Sequence, residues 1–244
     1  FEQWATALPL MQVAHHRDHP MQVEAMFLGT AGLLDADAMP QRQRDAALSD
    51  AYFTALRREY AYLAHKFSLT AMPRTAWRFM RLRPQNSPYI RLSQLATLYC
   101  SRRADLSRVA SCATLDEVGG ALATEVSDYW RTHYSFGNES KANAKRLSAA
   151  SVQLLVVNAV VPMLYAYGRH RQDETLIQRA ATLMEELPPE DNTYIRLWKE
   201  CGVKAENAAD TQALIQLHRQ YCERKECLRC RFGYYLLKGG SGSI

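Results

Sequence analysis

Apolar side chains recur every three or four residues along most of this chain, the period of an α-helix, and sustained period-two alternation is absent. Gln22 to Leu34 carries Val23, Met26, Phe27, Leu33 and Leu34, with bends expected at Gly29 and Gly32. An amphipathic stretch from about Asp45 to Phe67 places Leu48, Tyr52, Leu56, Tyr60 and Leu63 on one face. Trp77, Phe79, Met80 and Leu82 form a short element that Pro84 ends, and Ser87-Pro88 starts a helix reaching about Arg103. Thr114 to Glu117 reads as a capping box whose helix runs to Tyr129 or Trp130, and Ser140 caps another through Ser148. Val152 to Tyr167 is apolar on every side, which predicts a helix buried at the centre of a bundle, bent at Pro162 and closed by Gly168. Asp173–Leu187, Asn192–Cys201 and Asp210–Arg224 complete the set. The expectation is an all-α fold: an irregular bundle of about eight to ten helices around 152–167, with a short cysteine-rich knuckle at its end.

Composition agrees with this. Gly and Pro together make 20 of 244 residues, and few breakers favour long helices. With 48% hydrophobic and 23% charged residues the chain is globular, and no composition break divides it, so one domain is expected over 1–238, followed by a flexible tail at 239–244. The apolar run at 152–167 is too short and interrupted for a bilayer, so a soluble, cytoplasmic protein without a membrane partner is expected.

Charge changes the picture more. From Tyr60 to Ala104 there is no Asp or Glu, while Lys66, Arg74, Arg78, Arg81, Arg83, Arg91, Arg102 and Arg103 give a local charge of +8. Arginine outnumbers lysine 23 to 7, and its planar fork suits phosphate or carboxylate. Aromatic rings, Trp77 among them, interleave with these cations, the combination single-stranded nucleic acid requires. Arg74, Trp77, Arg78, Arg81, Arg83, Arg91, Arg102 and Arg103 are therefore the candidate nucleic-acid contacts. An acidic protein surface is the other partner such a face fits. The competing reading pairs these arginines internally with acids of neighbouring helices, leaving a structural or assembly module.

Three thiols fall close together as Cys222-x4-Cys227-x2-Cys230, a spacing suited to structural zinc, with His218 as the local fourth ligand. A [4Fe–4S] cluster is the weaker alternative, and buried free cysteine the plain one. Glu24 on an apolar helix face, with His133 among aromatics, suggests a third class, an enzyme centred on those two residues. No phosphate loop, nucleophile elbow or zincin helix is present, and nothing assembles a catalytic set.

Several stretches together carry a family resemblance: Glu24-Ala25 with Leu28 to Leu34, Trp77 with Arg81 to Pro88 and Arg91, and Tyr129-Trp130 with His133-Tyr134 and Phe136-Gly137. Asn158, Pro162, Tyr167-Gly168, Leu187-Pro188 with Glu190 and Asn192, Gln212 to Leu214, Tyr221-Cys222, Cys227-Leu228 and Cys230 continue it. In this the chain resembles a bacterial family catalogued as domain of unknown function 2851, departing from it at Ser87, where the family has Phe. The resemblance does not extend to His218. It implies that the chain, which opens at Phe1, is the C-terminal part of a longer protein. The N-terminal domain absent from this chain would carry acidic motifs similar to those of PD-(D/E)xK nucleases, which strengthens the nucleic-acid reading by analogy.

Overall fold

A computed structural model describes residues 1–238; the tail expected at 239–244 lies outside the described residues. Among the described residues the fold is all-α apart from one two-stranded hairpin. It clusters into two compact units, one of Phe1–Ser111 with Gly119–Val152, the other of Cys112–Val118 with the chain from Gln153 onward. The even composition behind the expectation of one domain over 1–238 does not mark this division.

The first unit begins with α1 (Glu2–Ala7), α2 (Leu10–His15) and α3 (Pro20–Thr30). Every residue of α3 from Val23 to Thr30 is buried, because α3 is apolar all round and packs against both α5 (Ala51–Phe67) and α6 (Pro88–Cys100). Carbonyls at its C-terminal end, which have few partners inside a helix, are taken by other segments. Trp4 Nε1 donates to Phe27 O at 3.0 Å, Trp77 Nε1 to Ala31 O at 2.8 Å, and Met72 N to Thr30 O at 2.9 Å. Gly32 turns the chain at φ 68°, where a Cβ would stand 2.1 Å from Met72 O.

The stretch expected to be helical from Asp45 to Phe67 is two helices, α4 (Gln41–Leu48) and α5. Asp50 breaks it by capping α5: its carboxylate accepts from Phe53 N at 2.8 Å. No helix forms over 77–82. A 3₁₀ turn at Arg74–Ala76 and another at Pro84–Asn86 bracket a loop in which Arg81 adopts φ 60°.

After α6 come α7 (Leu106–Ser111), α8 (Leu115–Leu122), the short α9 (Asp128–Arg131) and the hairpin of β1 (His133–Ser135) and β2 (Asn138–Glu139). The helix expected from Thr114 to Trp130 thus stops at Leu122. Beyond it Thr124 Oγ1 donates to Gln94 O, and Ser127 N to Ser93 Oγ, so α6 takes the polar groups that would have continued the turn. The helix expected from Ser140 to Ser148 is irregular chain instead, with Lys145 at φ 45°. Its backbone bonds go sideways, with Asn143 N to Arg131 O at 2.8 Å and Leu147 N to Thr124 O at 3.2 Å.

The division falls within α10 (Ala149–Leu155), and the second unit continues with a π-turn (Val156–Val160), α11 (Val161–Arg171), α12 (Glu174–Glu186), α13 (Thr193–Glu200), α14 (Ala208–Leu217) and α15 (Arg231–Leu237). Here the expected buried central helix is corrected. Val156, Val157, Val160, Leu164 and Gly168 face inward, but Leu154, Leu155 and Tyr165 are exposed; the helix buried on all sides is α3, within the first unit. The helical run is also longer than the apolar stretch: Ala149–Arg171, 23 residues, is long and apolar enough by length and composition to cross a membrane. Pro162 lies at the start of α11 just after the π-turn, where the regular i→i−4 ladder is already interrupted, and the helical run continues through it. Nor does Gly168 end the helix. A Cβ there would come within 3.0 Å of Leu176 and Ile177, so the glycine lets α11 and α12 close on each other, and Gln172 in the left-handed region ends α11.

Candidate anion-binding pocket

A cleft of about 210 Å³ opens in the first unit where the 74–87 loop meets the start of α6 and β1. Its floor is Arg74 and Tyr89, both buried; Arg83, Phe79, Ser87, Tyr134 and Ser135 stand around it. Arg74 is only 7% exposed, yet no carboxylate meets it among the described residues. Its guanidinium donates to Tyr89 Oη at 2.6 Å and to Gln43 Oε1 at 3.3 Å, both neutral acceptors. The Phe79 ring lies 4.3 Å from the guanidinium carbon. Burial raises the pKa of Tyr89, against the pull of Arg74, so the phenol stays neutral and adds no counter-charge.

The other arginines of the acid-free stretch divide into groups. Arg78, Arg81 and Arg83 are exposed and form no ion pair among the described residues. Arg91 is half-buried on α6, donating to Gln94 Oε1 at 3.0 Å and Asn86 Oδ1 at 2.7 Å, and burial pulls its guanidinium below its ordinary value. Asn86 in turn belongs to the turn that shapes the cleft. Arg102 and Arg103 follow the far end of α6, about 18 Å along a helix of this length. Arg102 pairs with Asp18 at 2.9 Å, and Arg103 lines a separate cleft that also holds Glu125 and Arg146. The seven arginines are therefore not one continuous face. Among the described residues, internal pairing, the basis of the structural alternative, is met in these seven at Arg102 alone. The acids bounding the stretch look elsewhere: Glu59 accepts from Gln22 at 2.7 Å, and Asp105 takes Arg17.

Trp77 is committed to the fold, its indole tied to Ala31 O and in edge contact with Phe1 at 5.1 Å, so Phe79 and Tyr134 are the rings beside the cleft. Sequence reading counted Phe79 and Tyr89 among the rings interleaved with the arginines but missed Gln43 and the approach of Tyr134, since only the fold brings 43, 74, 89 and 134 together.

Glu24 and His133 are joined through aromatic rings but do not share a cleft. Trp130 Nε1 donates to Glu24 Oε1, with Tyr52 and Ser127 as further hydrogen-bond partners of the carboxyl. Tyr52 stacks on Tyr129 at 4.2 Å, and Tyr129 on His133 at 4.1 Å. Burial, the dominant influence, pushes the Glu24 carboxyl above the usual carboxylate range. Beside this stack Lys145 is 2% exposed, its ammonium donating to the carbonyls of Trp130, Arg131 and His133. Neither Glu24 nor His133 lines the clefts above, so an enzyme built on these two gains no support from their placement.

The C-terminal thiols lie near one another: Cys230 is buried, Cys222 and Cys227 are exposed, and burial first, then the neighbouring sulfurs, raise the Cys222 thiol. His218 faces another way, its ring 4.9 Å from Tyr194 and its Nδ1 3.7 Å from Glu223 Oε1. Among the described residues no group of three or more His, Cys, Asp and Glu is arranged to hold a metal ion, so the four expected ligands are not brought together.

The family model described as "Protein of unknown function (DUF2851)" matches residues 1–193. That span contains the arginine cleft and the Glu24 cluster and ends before Cys222. No curated protein and no solved structure matches the chain. With most of its length matched, this chain belongs to the DUF2851 family of proteins of unknown function.

Proposed function

We propose that this helical chain is a non-catalytic accessory module that binds single-stranded nucleic acid through its arginine-rich edge. The observation that carries the reading is the want of counter-charge: Arg74, Arg78, Arg81 and Arg83 meet no carboxylate among the described residues, although they occupy one short loop. Free guanidinium groups follow a phosphate backbone, and Phe79 and Tyr134 line the same cleft, each with one face against a cation, Arg74 and Lys145, and the other left for a base. The binding edge is narrower than the stretch 74–103, since Arg102 is paired and Arg91 is held by two side-chain amides.

The test is titration of a fluorescent single-stranded oligonucleotide at several salt concentrations. Binding is expected to weaken steeply with salt, with a log–log slope near 0.7 for each phosphate neutralised. Three or four contacts then give a slope of about 2–3. Absence of binding at low ionic strength sinks the proposal.

A further inference from the structure

We infer that the cleft over Arg74 takes the terminal phosphomonoester of a nucleic-acid strand, in preference to an internal phosphodiester. This rests on the nucleic-acid reading above and adds to it what the cleft selects.

The first argument is shape. At about 210 Å³ the cleft is smaller than the roughly 300 Å³ at which ligand pockets usually begin. Arg74, Pro88 and Tyr89 form its buried lining. A phosphate with a sugar on each side must pass across such a bowl, whereas a chain end can enter it.

The second argument is charge. A buried cation whose partners are all neutral remains without counter-charge, an expensive arrangement that an anion relieves. Arg74 is in that state, and Arg83 stands on the rim without an acid. A phosphomonoester carries about −1.5 to −2 at pH 7, enough for both guanidinium groups, whereas an internal diester carries a single charge.

A third feature is independent of the arginines. Ser87 and Pro88 line the cleft at the start of α6, a helix of 13 residues, and the Ser87 side chain makes no capping bond. The positive end of that helix is thus turned to the same space, where it favours an anion.

The experiment uses the full chain and one short single strand with a 5′-phosphate, a 3′-phosphate or hydroxyls at both ends, read by anisotropy at fixed salt. One phosphorylated strand is expected to bind at least tenfold more tightly than the hydroxyl-ended strand. Arg83→Gln, an exposed substitution, should remove most of that gain, while Arg78→Gln weakens all three strands alike. Equal affinity for the three strands overturns the inference and leaves the nucleic-acid reading standing. A gain that survives Arg83→Gln overturns it too, because the phosphate then binds elsewhere. If a nucleoside monophosphate competes as well as the phosphorylated strand, the ligand is a small phosphate ester and the strand-end inference fails. No binding by any strand removes both readings.

Discussion

Two polar regions of the first unit treat buried charge in opposite ways. Around Glu24 every charged group has hydrogen-bond partners in place: Trp130, Tyr52 and Ser127 serve the carboxyl, and three carbonyls receive Lys145. Around Arg74 the guanidinium is equally buried but meets only a phenol and an amide, and it borders an open cleft. A closed network holds a fold together and has nothing left to bind with. A buried cation beside open space has a bond still to make. The comparison separates polar residues that build the molecule from those placed to receive something.

The largest break in this contrast is Trp130→Ala. It empties a fully buried volume and strips Glu24 of a donor, so unfolding in urea should show a loss of about 3–5 kcal/mol. Glu24→Gln should act more gently and with a distinctive pH dependence. The Glu24 carboxyl titrates higher in the fold than its ordinary 4.5. The neutral acid therefore stabilises the fold fully below about pH 4.5, and that contribution is lost as pH rises through the raised folded value. Glutamine keeps an acceptor for Trp130 without the charge. Thermal melts should show Glu24→Gln gaining stability relative to the parent as pH rises from 4 to 8. A constant difference across that range would show that burial of the charge is not the cause. At the other region, Arg78→Gln with Arg81→Gln should leave the urea midpoint unchanged, since both side chains are exposed without ion pairs, while lowering the salt slope of oligonucleotide binding.

How much of this was legible in advance differs from element to element. Helices with an amphipathic face and a capping side chain read best: α12 and α13 fill their expected spans, capped by Asp173 and Asn192, while α6 lies within its span without the expected Ser87 cap and α5 fills only part of its own. Segments whose backbone polar groups find distant partners did not. The irregular chain over 140–147 bonds to 124–132, and nothing in its own sequence announces those partners. The apolar run at 152–167 misled because hydrophobicity on all sides does not say which side a helix buries. At the candidate site the acid-free stretch was visible as composition, and the structure leaves most of its arginines without carboxylates. Which of them share a cleft was not visible, because Arg74 gains Gln43 and Tyr134 only through folding.

The sequence by itself determined that this is a helical protein, where several helices start, and that one loop carries cations without acids. Those properties depend on local spacing, capping groups and net composition, which travel with the chain in any conformation. Tertiary structure alone decided that α3 is the buried centre, that Glu24 is sealed among rings, and that Arg74 is buried without an acid while Arg102 finds one. Burial and counter-charge are relations between residues far apart in sequence, and no local pattern encodes them.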